Sequence, residues 1–201
     1  MSGFNHIRVE VKGDMLFLFF NRPRVKNAIA PATYLEIVQV LKSAENNDDI
    51  RAVVLSGTGD YFTSGADISF SDTSEYKASM RDPPTAPVGQ FMFALMRFPK
   101  LLVAAVNGPA VGIGVTLLTH CDFCYAATSA TFWTPFVRVA VVPEFCSSVI
   151  FPRIFGPSLG NEMLLGARVL KVEEAQAAGL IAAVFPNDQL LAGWLVGWLV
   201  A

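Results

Sequence analysis

Residues 141–148 read Val-Val-Pro-Glu-Phe-Cys-Ser-Ser, and Glu144 is the one charge in that run. An ionised carboxylate is seldom buried, so an arbitrary glutamate is a solvated surface acid. Against apolar neighbours it instead becomes a proton acceptor of raised affinity, because burial disfavours its charged form. Pro143, Phe145 and Val141-Val142 are the neighbours expected to supply that setting. Two glycine-punctuated stretches offer the complementary chemistry. In YFTSGADI (61–68), Ser64-Gly65-Ala66-Asp67 can turn sharply because Gly65 tolerates unusual dihedrals. In NGPAVGIGVTLL (107–118), a turn at Asn107-Gly108-Pro109 leads into a helix whose first amides have no intrahelical acceptor. Each can present backbone N–H groups to an anionic oxygen. Neither is a nucleotide fingerprint, since Gly112-Ile113-Gly114 lacks a suitably placed third glycine and no Gly-Lys-Ser/Thr occurs. The alternative for either motif alone is glycine easing helix–strand packing.

These residues need a scaffold, and the hydrophobic pattern predicts one. HIRVEV (6–11) and MLFLFF (15–20) flank a turn at Gly13 and predict an antiparallel pair. A helix is predicted from Pro31, with Leu35, Val38 and Leu41 on one face, as far as the polar ENNDD at 45–49. RAVVLSG (51–57) is a continuous apolar run suited to a strand covered on both faces. A helix over 88–97, a strand over 101–106, a glycine-containing helix over 111–119 and a strand over 122–127 follow. This alternation predicts an α/β fold. Residues 71–87 lack apolar periodicity, carry three prolines and read as a loop or flap.

Composition narrows the function classes. The 201 residues suffice for one domain with a sizeable core, and 53% hydrophobic against 16% charged fits a globular chain. A net charge of -2 without a long Lys/Arg cluster argues against nucleic acid and for a small-molecule partner. A four-ligand zinc site built on Cys121, Cys124 and Cys146 would need one of only two histidines, His6 and His120, so the three cysteines are expected as buried reduced thiols. The N-terminal stretch has neither signal-peptide nor transit-peptide character. The apolar LLAGWLVGWLVA at the other end is shorter than the roughly 20 residues needed to span a bilayer. Asp122 is expected at a strand start, His120 at a helix end, and Glu173-Glu174 on a solvated first helical turn.

The ordered motifs NRP (21–23), SGADI (64–68), VNGPAVGIGVTLL (106–118), CDFCYA (121–126), TFWTPF (131–136), PEFCSS (143–148), FPRIFG (151–156) and NEMLLGARVLKVEEAQAAGLI (161–181) carry a resemblance. Over about residues 4–186 the chain resembles the crotonase (enoyl-CoA hydratase/isomerase) superfamily. Within it, the chain looks most like the peroxisomal-type Δ3,Δ2-enoyl-CoA isomerases. The resemblance implies an α/β spiral of ββα units that binds an acyl-CoA thioester. It assigns the oxyanion-hole amides to Ala66 and Ile113, the substrate path to Ser64, Gly65, Ala66, Asp67, Ile68 and Ile113, and the catalytic carboxylate to Glu144. Lys26 is placed either near the CoA phosphates or on the plain surface.

A proton α to a thioester is too weakly acidic for a carboxylate unless the enolate oxygen is stabilised as charge develops, which preorganised N–H donors do. In the isomerase reading one glutamate takes a proton from C2 of a 3-enoyl-CoA and returns it at C4. The related hydratases use a second glutamate where this chain has Thr116. No cofactor is implied, CoA being part of the substrate, and no metal. The family suggests a homotrimer and a peroxisomal setting, with a mitochondrial or cytoplasmic one as the alternative because the chain lacks a C-terminal Ser-Lys-Leu. Residues 1–186 are expected as the acyl-CoA-binding core. Residues 187–201 are expected as an atypical apolar tail where family members continue with further helices, so most of the usual C-terminal helical region is missing. A truncated, non-catalytic acyl-CoA or protein-binding module is the alternative function.

Overall fold

The computed structural model describes residues 3–74, 77 and 81–192. The first pair forms as its alternation predicts: β1 (Ile7–Lys12) runs antiparallel to β2 (Met15–Phe20), and Gly13 at φ +61° makes the turn. All six residues of β2 are buried. Leu16, Leu18 and Phe20 point into one apolar cluster, Met15, Phe17 and Phe19 into another, as a period of two requires. Each such burial contributes about 1.5–3 kcal/mol. Helix α1 (Pro31–Glu45) begins with proline at its first position, where no N–H is needed, and buries Ile37, Val38, Val40, Leu41 and Ala44. It packs against α2 (Pro87–Met96), with Tyr34 and Phe91 ring centroids 5.1 Å apart.

After β3 (Ala52–Gly57) come β4 (Leu101–Val106), β5 (Ala110–Val111), α3 (Ile113–Thr116), β6 (Phe123–Ala127) and β7 (Thr131–Trp133). Helix α4 (Ser147–Leu164), β8 (Val169–Lys171), α5 (Val172–Ala177) and β9 (Ala183–Phe185) complete the order. The large sheet runs β1-β2-β3-β4-β6-β9, parallel throughout beyond the first pair, and the small sheet runs β5-β7-β8. A strand in the large sheet, a short partner in the small one, then a helix recur as β4-β5-α3 and β6-β7-α4. Residues 63–66 play the short partner's part after β3, through isolated bridges Thr63↔Ala110 and Ile29↔Ala66. That repetition stacks the turns leaving successive large-sheet strands side by side, and the site lies among them.

Three expectations need correction. The helix expected over 111–119 starts at Ile113, because Ala110–Val111 pairs with Phe132–Trp133 as a strand, and it tightens to a 3-10 turn over Leu117–His120. Cys124 is buried, but Cys121 is half-buried and Cys146 exposed, all three as free thiols. Val141 and Val142 are exposed, so they give Glu144 no apolar cover. Of the 71–87 stretch, 81–86 are turns, while 75, 76 and 78–80 lie outside the described residues. Of the 187–201 tail, Asn187 accepts from Thr128 Oγ1 at 3.0 Å and Leu190 is buried in the cluster of Phe17 and Phe19; 193–201 lie outside the described residues. Among the described residues no helix is long and apolar enough to cross a membrane.

Candidate active site

One wall is two loops pressed together. The Val111 N–H donates to Thr63 O at 3.0 Å, the Ile29 N–H to Gly65 O at 2.8 Å, and the Asp67 N–H to Ile29 O at 3.0 Å. Gly65 sits at φ +88°, and a Cβ there would lie 2.8 Å from the Val111 carbonyl oxygen. A Cβ on Gly114 would lie 2.4 Å from Thr63 Cγ2. Only glycine allows this approach. The bonding leaves two donors over. Among the described residues the N–H groups of Ala66 and of Ile113, first residue of α3, make no hydrogen bond. The preceding Gly112 N–H is committed to Trp133 O at 2.8 Å, which fixes the turn into α3.

The loop is braced from behind. Arg22 Nη1 donates to Asp67 Oδ2 at 2.9 Å and to Ala28 O at 2.6 Å, and Ser69 donates its hydroxyl to Asp67 Oδ1 at 2.6 Å. Burial pushes the Asp67 carboxyl up, but the bonds from Ser69 and Arg22 outweigh it and hold the group below its ordinary value. Buried Asn27 donates to Thr58 O at 2.9 Å and Tyr61 O at 2.7 Å while accepting the Arg22 N–H at 3.0 Å. Arg22 and Asn27 are the positioning residues that sequence reasoning missed; the NRPRVKN run was their signal. Lys26 Nζ lies 5.2 Å from the Tyr61 ring centre. Ser64 is half-buried and Ile68 exposed at one end of the loop, and the Ile113 side chain is buried.

The acidic group of the site is Glu144. It stands on the turn into α4, where Phe145 and Cys146 both hold left-handed backbone, φ 54° and 59°. For non-glycine residues such geometry costs on the order of 1–3 kcal/mol each and persists only where surroundings impose it. Ser147 closes the turn, its N–H and hydroxyl donating to Glu144 O at 3.0 and 2.6 Å. The carboxylate is turned inward, and its Oε1 accepts the Thr116 hydroxyl at 2.9 Å. Burial pushes its pKa up to about 7, and the Thr116 bond offsets only part of that rise. Thr116 is one helical turn after Ile113, so α3 joins the carboxylate to one of the free amides. The structure therefore brings Glu144, Ile113 and the 64–67 loop together through α3 and the contacts of Gly65 and Gly114.

Other candidates sit apart. Asp122 accepts the Leu102 N–H at 2.8 Å at the start of β6, and Glu174 accepts the Lys171 N–H at 2.9 Å in the first turn of α5. The hydrogen bond with Cys124, then burial, holds the Cys121 thiol well above its usual range. Among the described residues no group of three or more His, Cys, Asp or Glu is gathered that could hold a metal ion.

Comparison with known proteins agrees with this architecture. The chain is 42% identical over 189 residues to human enoyl-CoA delta isomerase 2, covering 93% of this chain and 48% of that protein. It is 44% identical over 171 residues to mouse peroxisomal enoyl-CoA delta isomerase 3, covering 84% of this chain and 53% of that protein. The chain thus spans about half the length of the curated relatives it matches. A solved enoyl-CoA hydratase/isomerase from Pseudoalteromonas atlantica T6c superposes with a TM-score of 0.87 at 37% identity, over 95% of this chain and 74% of that one. The enoyl-CoA hydratase/isomerase family profile matches residues 10–197, and with these motifs and this fold in place the chain belongs to the enoyl-CoA hydratase/isomerase family, the crotonase superfamily.

Proposed function

We propose that this chain carries the active site of a Δ3,Δ2-enoyl-CoA isomerase, converting 3-enoyl-CoA to trans-2-enoyl-CoA in the oxidation of unsaturated fatty acids. The observation that carries the reading is on α3. Thr116 holds one oxygen of Glu144 while the Ile113 N–H, one turn earlier, has no acceptor among the described residues. The thioester oxygen accepts from Ala66 and Ile113, and the two donors stabilise the enolate oxygen as its charge grows; losing one such donor typically costs about 3–4 kcal/mol of barrier. Glu144 Oε2 takes the C2 proton. The electron pair spreads over the dienolate, and the protonated Glu144 returns the same proton at C4, so the double bond moves into conjugation and the carboxylate is restored. A pKa of about 7 suits a group that must both take and give the proton near neutral pH.

Thr116 also favours isomerisation over hydration. It occupies with a neutral hydroxyl the place where a second carboxylate would activate water. No cofactor enters, since CoA is part of the substrate. Similarity to a peroxisomal isomerase supports a peroxisomal setting, and family resemblance supports a homotrimer.

A second reading, acyl-CoA or protein binding without turnover, is favoured by the exposed Val139, Val141 and Val142 just before Glu144 in the chain, an apolar surface suited to binding. One experiment decides between them. Purified protein given 3-hexenoyl-CoA should yield the absorbance of the conjugated product, and 2-enoyl-CoA should gain water far more slowly. Binding without product establishes the second reading, and hydration outrunning isomerisation overturns the isomerase assignment.

A further inference from the structure

The left-handed pair Phe145-Cys146 needs something to hold it, and Ser147 closes only one side of the turn. The other side is met by His120, which sequence alone presents as an ordinary helix-end residue. Its Nε2 lies 2.9 Å from the Phe145 carbonyl oxygen, and its ring stacks on the Phe145 ring with centroids 4.0 Å apart and planes at 23°. Because a carbonyl only accepts, Nε2 carries the proton. Phe145 also meets Phe91 of α2, with ring centroids 6.2 Å apart. Phe145 is thus clamped between α2 and the 3-10 turn that continues α3, and Glu144 is the next residue along the chain.

We infer that His120 is a positioning residue for the base: its hydrogen bond to the Phe145 carbonyl and its stack on the Phe145 ring fix the strained turn that aims the Glu144 carboxylate at Thr116 rather than at solvent. This rests on the proposed isomerase reading for its catalytic consequence, but the positioning itself does not. His120 and Thr116 lie four residues apart, so one short stretch of chain holds both the carboxylate and the backbone beside it. Burial lowers the pKa of His120, more than the Phe145 bond raises it, which keeps the ring neutral near neutral pH. The other titratable groups of this wall are engaged elsewhere. Cys121 and Cys124 direct their sulfurs to the Leu117 and Leu118 carbonyls, and Asp122 accepts from Leu102. Among the described residues no ion pair reaches Glu144 or His120.

The test uses two variants and a readout that does not need turnover. His120→Phe keeps an aromatic ring against Phe145 and removes the donor. His120→Gln keeps a donor at the same distance from the backbone and removes the ring. The titration of Glu144 is followed by carbon NMR on glutamate-labelled protein, with Glu144→Gln identifying the signal. In the parent protein Glu144 should titrate near the raised value, about 7. In His120→Phe it should fall toward an ordinary carboxylate as the side chain reaches water, and His120→Gln should restore much of the shift. Isomerisation by His120→Phe should fall on the order of 10- to 100-fold in kcat with KM little changed, as misplacement of a reacting group does. A parent-like Glu144 titration in His120→Phe overturns the inference even if the melting temperature drops, since that pattern is a purely structural role. If the NMR shift appears but the parent protein lacks isomerase activity, the positioning stands and the isomerase reading falls.

Discussion

The two carboxylates of the site, Asp67 and Glu144, are both withdrawn from water, and their proton affinities move in opposite directions. Asp67 receives a guanidinium and a serine hydroxyl, and its charged form wins. Glu144 receives one threonine hydroxyl, and burial wins. Burial is common to both, so the number and charge of the donors decides the sign. One region is therefore a brace, its carboxylate kept in the charged form that holds the 64–67 loop, and the other has the raised proton affinity that the proposed isomerisation asks of its base. The lesson for reading such sites is that a buried acid becomes a base only where the fold withholds partners from it.

The comparison breaks most visibly at Glu144 itself. Glu144→Gln should lower isomerisation by about 10²–10⁴-fold while acyl-CoA affinity stays within a few-fold, measured by steady-state kinetics and equilibrium binding. The same variant sharpens the stability side. Between the ordinary carboxyl value of 4.5 and about 7, the folded state holds a proton that the unfolded chain releases, so stability falls as pH rises through that window. Full ionisation costs at most on the order of 3 kcal/mol. Glu144→Gln should accordingly melt higher than the parent at pH 8 and about equal to it at pH 4. An unchanged difference across the range would show that Glu144 titrates as a solvated acid.

Next in size is the donor wall. Ile113→Pro removes one free N–H at the first position of α3, where proline is tolerated. It should lower kcat by about 10²–10³-fold with a much smaller change in KM. Equal loss in binding and turnover would place Ile113 outside the oxyanion site. Arg22→Leu strips the brace from Asp67 and should cost about 1.5–3 kcal/mol by denaturant unfolding, reflecting lost charge-assisted bonds. Its KM should rise as the 64–67 loop loosens. The smallest effect belongs to Thr116→Val. With the offsetting bond from Thr116 gone, Glu144 should titrate still higher, and the acid limb of the kcat/KM profile should move toward alkaline pH. An acid limb moving the other way would mean that Thr116 bonds the protonated form instead.

Much of the frame was readable because local patterns carry it. The period-two run of β2, the proline entry of α1 and the apolar runs of β3 and β4 lie where alternation and capping put them. The element that slipped was 110–120. Val111 adjoins the glycine-bearing run that reads as a helix, but pairing with β7, some 20 residues later in the chain, makes it a strand, as suits a β-branched residue. Val141 and Val142 mislead for a related reason, since apolar character does not say which way a turn faces.

The sequence by itself determined the alternation of strands and helices as far as β4, the strand at β6, the family motifs, and the presence of one carboxylate and two glycine-bearing turns. Tertiary structure alone decided that Gly65 and Gly114 press those turns together, that Thr116 meets Glu144, and that Phe145 is held left-handed under His120. The reason is range: periodicity and capping act within a few residues, whereas burial and the supply of hydrogen-bond donors depend on segments that folding brings together. Proton affinity follows those two quantities, so the chemistry of Glu144 is a property of the packed molecule rather than of its neighbours in the chain.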